Sequence, residues 1–226
     1  HLFGKGLLKP YKKFKRHIND FLAGYKRFSA YDLSEKEFKK IYKYITEHKI
    51  SHIIGYSSSL SLFSKYILDK NIKFKYPISS ICTSEQLHET DYLNISNALN
   101  RSPILEYGLA ESGPLAYGDY FTKGMNTLWF TNILQADSNK EAILTTLNLY
   151  GFPFIRYRSG DLIDGFSCTD SILQFKNLVG RANDNIYFLR DEVLIKFHSE
   201  LITHIIKSIK GVRDFRFIQM KDLRCY

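Results

Sequence analysis

The strongest constraint on the fold is a change in hydrophobic period partway along the chain. From His52 to Ile104, short apolar runs alternate with helical stretches. HIIGY (52–56) reads as a strand, followed by serines that open and cap a helix through Ile67. PISSICTSE then runs as a strand from Pro77 into a turn, and a helix follows to about Leu99. Parallel neighbours need crossovers of a dozen residues or more, and these helices supply them, so this part should be a largely parallel α/β layer. After Tyr120 the pattern is different. NTLWFTNILQ, AILTTLNL and SILQFKNL read as strands joined by turns with no room for crossover helices, which predicts an antiparallel, β-rich part.

The two ends add further elements. SEKE (34–37) has the form of a capping box and opens a helix with Phe38, Ile41, Tyr42 and Ile45 on one face. HSELITHIIKSI places Leu201, Ile202, Ile205, Ile206 and Ile209 on one helical face, and VRDFRFIQM reads as a strand, the start of a small α+β unit. No long Pro/Gly linker divides the chain, and GRANDN (180–185) is the natural boundary.

Composition sets the class. At 226 residues, 44% hydrophobic and 15% aromatic, the chain can bury a sizeable core. No apolar run reaches the roughly 20 residues that span a bilayer, and HLFGKGLLKPYKKFKRH lacks the apolar centre of a signal peptide, so the expected compartment is the cytoplasm. Cys82, Cys168 and Cys225 are widely spaced, without CxxC or His-rich surroundings, which points to reduced thiols rather than a zinc site or a disulfide framework. The formal charge is +9, and the first 50 residues hold 13 Lys/Arg against 5 Asp/Glu. That segment could meet phosphates or an anionic surface. Tyr11, Phe14, Ile18, Phe21, Leu22 and Tyr25 fall at helical spacing, however, so its lysines read more simply as the wet face of an amphipathic helix.

Two polar clusters could carry chemistry. In ILEYGLAESG the backbone must turn at Gly108, leaving Tyr107 and Glu111 near the carboxyl end of a strand, where open α/β sheets bind ligands. A tyrosine ring offers a flat face to a purine, and a carboxylate offers hard oxygen to magnesium. A glycine turn beside a glutamate is also an ordinary structural feature. In PFIRYRSGDL, Asp161 follows a strand with Arg156 and Arg158 on one face if the strand persists. Such a carboxylate can accept from both hydroxyls of a ribose while the arginines neutralise phosphate. The alternative is a structural ion pair closing a turn.

Taken in order, SSICTSEQL, ILEYGLAESG, PFIRYRSGDL and LVGRANDNI resemble the successive core motifs of the adenylate-forming enzymes. The likeness is closest to the branch that holds the phenylacetate–CoA ligases and the CapK-type capsular polysaccharide proteins. It extends over nearly the whole chain and implies that residues 1–182 belong to the large AMP-binding domain and 183–226 to a hinge and the start of the small C-terminal domain. It further implies that Thr83, Ser84 and Glu85 form a loop passing the adenine, that Tyr107 stacks on the base beside Gly108, and that Glu111 holds magnesium. Asp161 would hold the ribose hydroxyls, with Arg158 and Arg181 near ribose and phosphate. The implied chemistry uses ATP, Mg2+ and a small carboxylic acid to form an acyl-adenylate, with coenzyme A or another acceptor displacing AMP.

The departures from the family pattern are specific. Ala110 and Ser159 stand where the family usually has threonine, and Asn183 where a hinge aspartate is frequent. No Ser/Thr/Gly-rich phosphate loop precedes Tyr107, and the sequence stops at Tyr226 before the family's late catalytic lysine. The expectation is therefore a fragment that does not complete the ligase reaction by itself. A different class stays open: a non-catalytic AMP-, phosphate- or polyanion-binding module that uses the basic N-terminal region. The two readings rest on different residues, since the motifs lie outside the basic segment. If that segment is scaffold, gel-shift assays with duplex DNA and RNA should show weak, steeply salt-dependent binding without sequence preference. Tight, sequence-selective binding at physiological salt would favour the module.

Overall fold

The structure, a computed structural model, describes residues 2–3, 18–22, 24–30, 32–121, 124–169, 172–181, 185–190, 193–198 and 219–220. Its centre is the parallel layer. Strands β1 (Leu2–Phe3), β2 (Phe28–Ser29), β3 (His52–Tyr56), β4 (Ser79–Thr83) and β5 (Ile104–Leu109) run parallel to their neighbours. Helix α1 (Glu35–Glu47) precedes β3, α2 (Ser57–Asp69) links β3 to β4, and α3 (Glu89–Leu99) links β4 to β5. The chain then reverses through β6 (Gly113–Asp119) and β7 (Gly124–Thr127), which extend the same sheet antiparallel. With β11 (Ser167–Thr169) and β12 (Ile172–Phe175) it has nine strands in the order β11-β12-β7-β6-β5-β4-β3-β1-β2.

A second sheet has the order β13-β10-β9-β8, made from β8 (Asn132–Ala136), β9 (Glu141–Thr146), β10 (Tyr157–Asp164) and β13 (Asn177–Arg181), all antiparallel. Strands β14 (Asn185–Arg190) and β15 (Val193–His198) form a separate hairpin. The expected succession of parallel α/β layer and antiparallel β-rich part is the observed one. The proposed boundary at 182/183 lies outside the described residues, as does the helix expected over 198–209 apart from His198, which ends β15.

Local chemistry explains the helices. The Ser34 hydroxyl accepts from the Glu37 N–H at 3.3 Å, and α1 buries Phe38, Ile41 and Ile45. Helix α2 buries four serines beside Leu60, Phe63 and Ile67, side chains small enough for close approach to its neighbours. One of them, Ser61, donates to the Asp91 carboxylate on α3 at 2.6 Å. Helix α3 ends at Asn100 in the left-handed conformation. These helices and one sheet face form the first core, which includes Phe28, Ile53, Phe74, Ile78, Cys82 and Ile95. A second core lies between the two sheets: Tyr107, Leu115, Ala116, Met125 and Phe175 from one, Leu134, Ala142, Leu144 and Ile163 from the other.

Three local expectations differ from the structure. NTLWFTNILQ is two strands, because the Leu128 carbonyl accepts from the Thr131 and Asn132 N–H groups and turns the chain, leaving Trp129 and Phe130 exposed. The serines do not cap α2, and one of its free N–H groups, that of Ser58, is instead met by the Glu85 carboxylate from a distant loop. Residues 18–22 are helical, but Phe21 and Leu22 face solvent at 79% and 77% exposure and belong to neither core.

The β5–β6 hairpin carries a bulge at Tyr107/Gly108, and there the backbones come very close. A Cβ on residue 108 would lie 2.8 Å from the Gly113 carbonyl oxygen and 3.0 Å from the Pro114 Cα, both backbone atoms that cannot swing aside. Gly108→Ala should therefore destabilise the chain by about 1–3 kcal/mol, as overpacking does, read as a lower midpoint in urea denaturation. An unchanged midpoint would show that the hairpin opens freely.

Candidate functional site

The site forms where the carboxyl ends of β4 and β5 meet the second sheet. Register places Thr83 beside Glu106, and the Thr83 hydroxyl donates to Glu106 Oε1 at 2.8 Å while the Tyr117 hydroxyl donates to Oε2 at 2.5 Å. Burial first, and then the neighbouring Glu106 carboxylate, push the Tyr117 phenol far above its usual range, so it stays a donor. Beyond Thr83 the backbone takes φ +66° at Ser84 and brings Glu85 over the start of α2. The Glu85 carboxylate accepts from the Ser58 N–H at 2.9 Å, and its carbonyl accepts from the Ser57 hydroxyl at 3.0 Å. An acidic group at a helix N-terminus is well placed electrostatically. The loop 83–85 is thus pinned to α2 and presented toward β5.

Alternation on β5 turns Tyr107 to the opposite face from Glu106, into the inter-sheet core. Its ring is only 4% exposed and meets Phe175 edge-on, with centroids 5.8 Å apart and planes at 83°. Its hydroxyl donates to Asp161 Oδ2 at 3.0 Å, across 54 residues and from one sheet to the other. Asp161 is 9% exposed, and its N–H donates to the Ser159 hydroxyl at 3.1 Å. Ser159, at a position where the resembled family favours threonine, in turn donates to the Ala142 carbonyl at 3.1 Å.

The other carboxylate and the arginines are disposed differently. Glu111 sits exposed on the β5–β6 turn, where its Oε1 accepts a long hydrogen bond of 3.4 Å from the Tyr157 hydroxyl. Arg158 points to the outer side of β10. There its guanidinium pairs with Glu141 at 2.6 Å and with Asp137, an arrangement that raises its own pKa and closes the turn between β8 and β9. Arg156 does not share its face: φ is +51° at Arg156, so the strand starts only at Tyr157, and the Arg156 N–H donates to Thr145 Oγ1. Arg181 is the ladder partner of Asp161 on β13.

A cavity of about 430 Å³, within the range of small-molecule sites, is lined by Glu85, Glu106 and Tyr107, whereas Asp161, Glu111 and Arg158 are not among its lining residues. The Glu85–Glu89 segment forms one wall; Leu105, Tyr107 and Met125 line it from the sheet, with Tyr120, Lys176 and Leu178 at its edges. Sequence reasoning gave no role to Tyr157, and it took Tyr117 only as a candidate lining of an acyl pocket, not as the partner of Glu106. The signal for Tyr157 was there: Tyr157, Ser159, Asp161 and Ile163 alternate along one side of β10. The Glu106–Tyr117 contact depends on hairpin register, which the residues alone did not fix.

Neither a protein-family model nor a curated protein matches the chain. Solved structures do. A 2-hydroxyisobutyryl-CoA ligase in its postadenylation state, in complex with R3-HIB-AMP, superposes with a TM-score of 0.65 at 13% identity, covering 98% of this chain and 51% of that one. The same ligase in an open conformation with 2-HIB-AMP and CoA gives 0.60 at 13%, covering 83% and 48%. The amide bond synthetase McbA from Marinactinospora thermotolerans gives 0.51 at 10%, covering 82% and 42%. The chain spans about half the length of the ligase. The likeness establishes the fold: a mixed α/β architecture shared with part of an adenylate-forming ligase.

Cys82 lines the same cavity, and burial pushes its thiol up to about 12. In the folded chain at pH 8, iodoacetamide should modify exposed Cys168 and spare Cys82, read by mass spectrometry of peptides. Because this thiol holds its proton more tightly when folded, its contribution to stability is complete below about pH 8.5 and falls as the pH rises toward 12. Cys82→Ala should flatten that part of the stability profile. Rapid native labelling of Cys82 would contradict the burial.

Proposed function

We propose that this chain is the nucleotide-binding part of an adenylate-forming protein that activates a small carboxylic acid, of the phenylacetate–CoA ligase-like and CapK-related kind. The observation that carries the reading is Tyr107. Tyr107 lines a cavity walled by the Glu85 loop, and its hydroxyl reaches Asp161, so one hydrogen bond ties a third motif position to this concavity although Asp161 does not itself line it.

The roles follow from the chemistry of each group. Asp161 offers carboxylate oxygen to a ribose diol in a site from which most water is excluded, where charge-assisted hydrogen bonds are strong. The Thr83–Glu85 loop borders the base, and its attachment to α2 limits its motion before any ligand arrives. Arg181, opposite Asp161 in the ladder, is the proposed cation for ribose and phosphate. Arg158 keeps a phosphate role only if a nucleotide draws it from Glu141 and Asp137.

Glu111 fits magnesium in a limited sense. It is an exposed carboxylate on the β5–β6 turn, and the described residues hold no group of three metal-ligating side chains. A magnesium ion would take one oxygen from Glu111 and the rest from phosphate and water, as it does in many nucleotide sites. When bound it would neutralise phosphate charge. In the proposed reaction the acid carboxylate attacks the α-phosphorus of ATP, pyrophosphate leaves, and coenzyme A or an amine then displaces AMP.

The test is calorimetric titration of the chain with AMP. Binding is expected, and Asp161→Ala should weaken it by about 10- to 150-fold, the equivalent of a hydrogen bond to a charged group at about 1.5–3 kcal/mol. AMP affinity indifferent to Asp161, in a variant that unfolds at the parent temperature, would remove the basis of this reading.

A further inference from the structure

The buried hydroxyl of Tyr107 suggests a role for this residue other than a stacking surface. A ring that stacks on a purine must offer one of its faces, and although Tyr107 lines the cavity it is only 4% exposed and forms a T-shaped pair with Phe175, so little of its ring is open. What it does present is a phenolic O–H, 3.0 Å from Asp161 Oδ2. We propose that Tyr107 is a positioning residue. Its hydroxyl fixes the Asp161 carboxylate so that the carboxylate is already oriented for a vicinal diol, and this contribution to nucleotide binding outweighs that of the ring. The inference rests on the assignment of Asp161 to the ribose made above.

The surrounding bonds explain why the hydroxyl matters. Asp161 is held at its backbone by Ser159, which is itself tied to Ala142, so β10 sets where the carboxyl group starts. The torsion of that group about its own axis is set from elsewhere, and the Tyr107 O–H grips one of its two oxygens. The tyrosine in turn is held rigidly, since it belongs to the bulge that Gly108 permits and packs among Leu115, Met125 and Phe175. A donor fixed in this way costs little entropy when ligand binds, which is the advantage of a preorganised site. A carboxylate freed from it would have to be ordered by the ligand.

The experiment separates hydroxyl, ring and fold. Tyr107→Phe keeps the ring and the packing and deletes only the O–H; thermal unfolding reports whether the fold is kept. AMP and 2′,3′-dideoxy-AMP, which lacks both ribose hydroxyls, are titrated into the unaltered chain, Tyr107→Phe, Asp161→Asn and the double variant. Tyr107→Phe should lose about tenfold in AMP affinity and leave dideoxy-AMP affinity unchanged. Asp161→Asn should show the same ligand dependence, and the double variant should lose no more than Asp161→Asn alone, as expected of two groups that act as one. Full AMP affinity in Tyr107→Phe beside a loss in Asp161→Asn would overturn this inference and leave the proposed function standing. Equal losses for both ligands in Tyr107→Phe would overturn it too, because a general packing effect does not distinguish a diol. AMP affinity unchanged in Asp161→Asn would overturn the assignment of Asp161 itself, and this inference with it.

Discussion

A carboxylate that is nine-tenths buried must be met by donors, and for Asp161 one of those donors comes from the other sheet. Burying such a group without partners would cost several kcal/mol, so the hydrogen bond from Tyr107 constrains how the sheets can sit. It sets the depth at which β10 meets β5 and lies beside the apolar layer of Leu115, Leu144, Ile163 and Phe175, which supplies most of the burial. The apolar layer alone would tolerate small slips. A polar contact of 3.0 Å does not.

A second contact has the opposite sense. Tyr107 on β5 donates to a carboxylate on β10, while Tyr157 on β10 donates to Glu111 on the turn after β5. Each sheet thus lends a phenol to the other's acid, one pair buried and short, the other exposed and long. The buried pair suits the fixed role proposed for Asp161. The exposed pair leaves Glu111 free to exchange a weak contact for a stronger one, which suits a carboxylate expected to meet a cation. One strand pair can therefore carry a rigid and an adaptable acid side by side.

How much of this the residues foretold depends on the range over which each feature is decided. The N-cap at Ser34, the strand at HIIGY and the crossover helices are local and match their elements, although the return bond of the capping box is not made, because the Ser34 N–H donates to Asp32 Oδ1. The order of the motifs likewise led to the right architecture. Features set by tertiary context were less visible. Nothing local marks Glu85 as the partner of the α2 N-terminus, because the contact with Ser58 spans 27 residues. Arg156 and Arg158 looked like one face of a strand, but a left-handed residue at 156 separates them, and the acidic turn at Asp137–Glu141 takes Arg158. Tyr107 stood out in its motif; that its ring would pack against Phe175 and its hydroxyl engage Asp161 became visible only in the fold.

The distance along the chain between Tyr107 and Asp161 has a bearing on synthesis. The contact closes a loop of 54 residues, and the ladder partner of Asp161, Arg181, comes another strand pair later. By contrast α2, α3 and the strands they join are built from near neighbours in sequence. Contacts between near neighbours form early, whereas long loops must lose their chain entropy before any long-range contact repays it. On a ribosome the parallel layer would be complete while β10 was still in the exit tunnel, leaving Tyr107 and its apolar neighbours uncovered. The nascent chain would thus pass through an interval in which half of the inter-sheet core is exposed as a sticky apolar surface, a natural point for chaperone engagement.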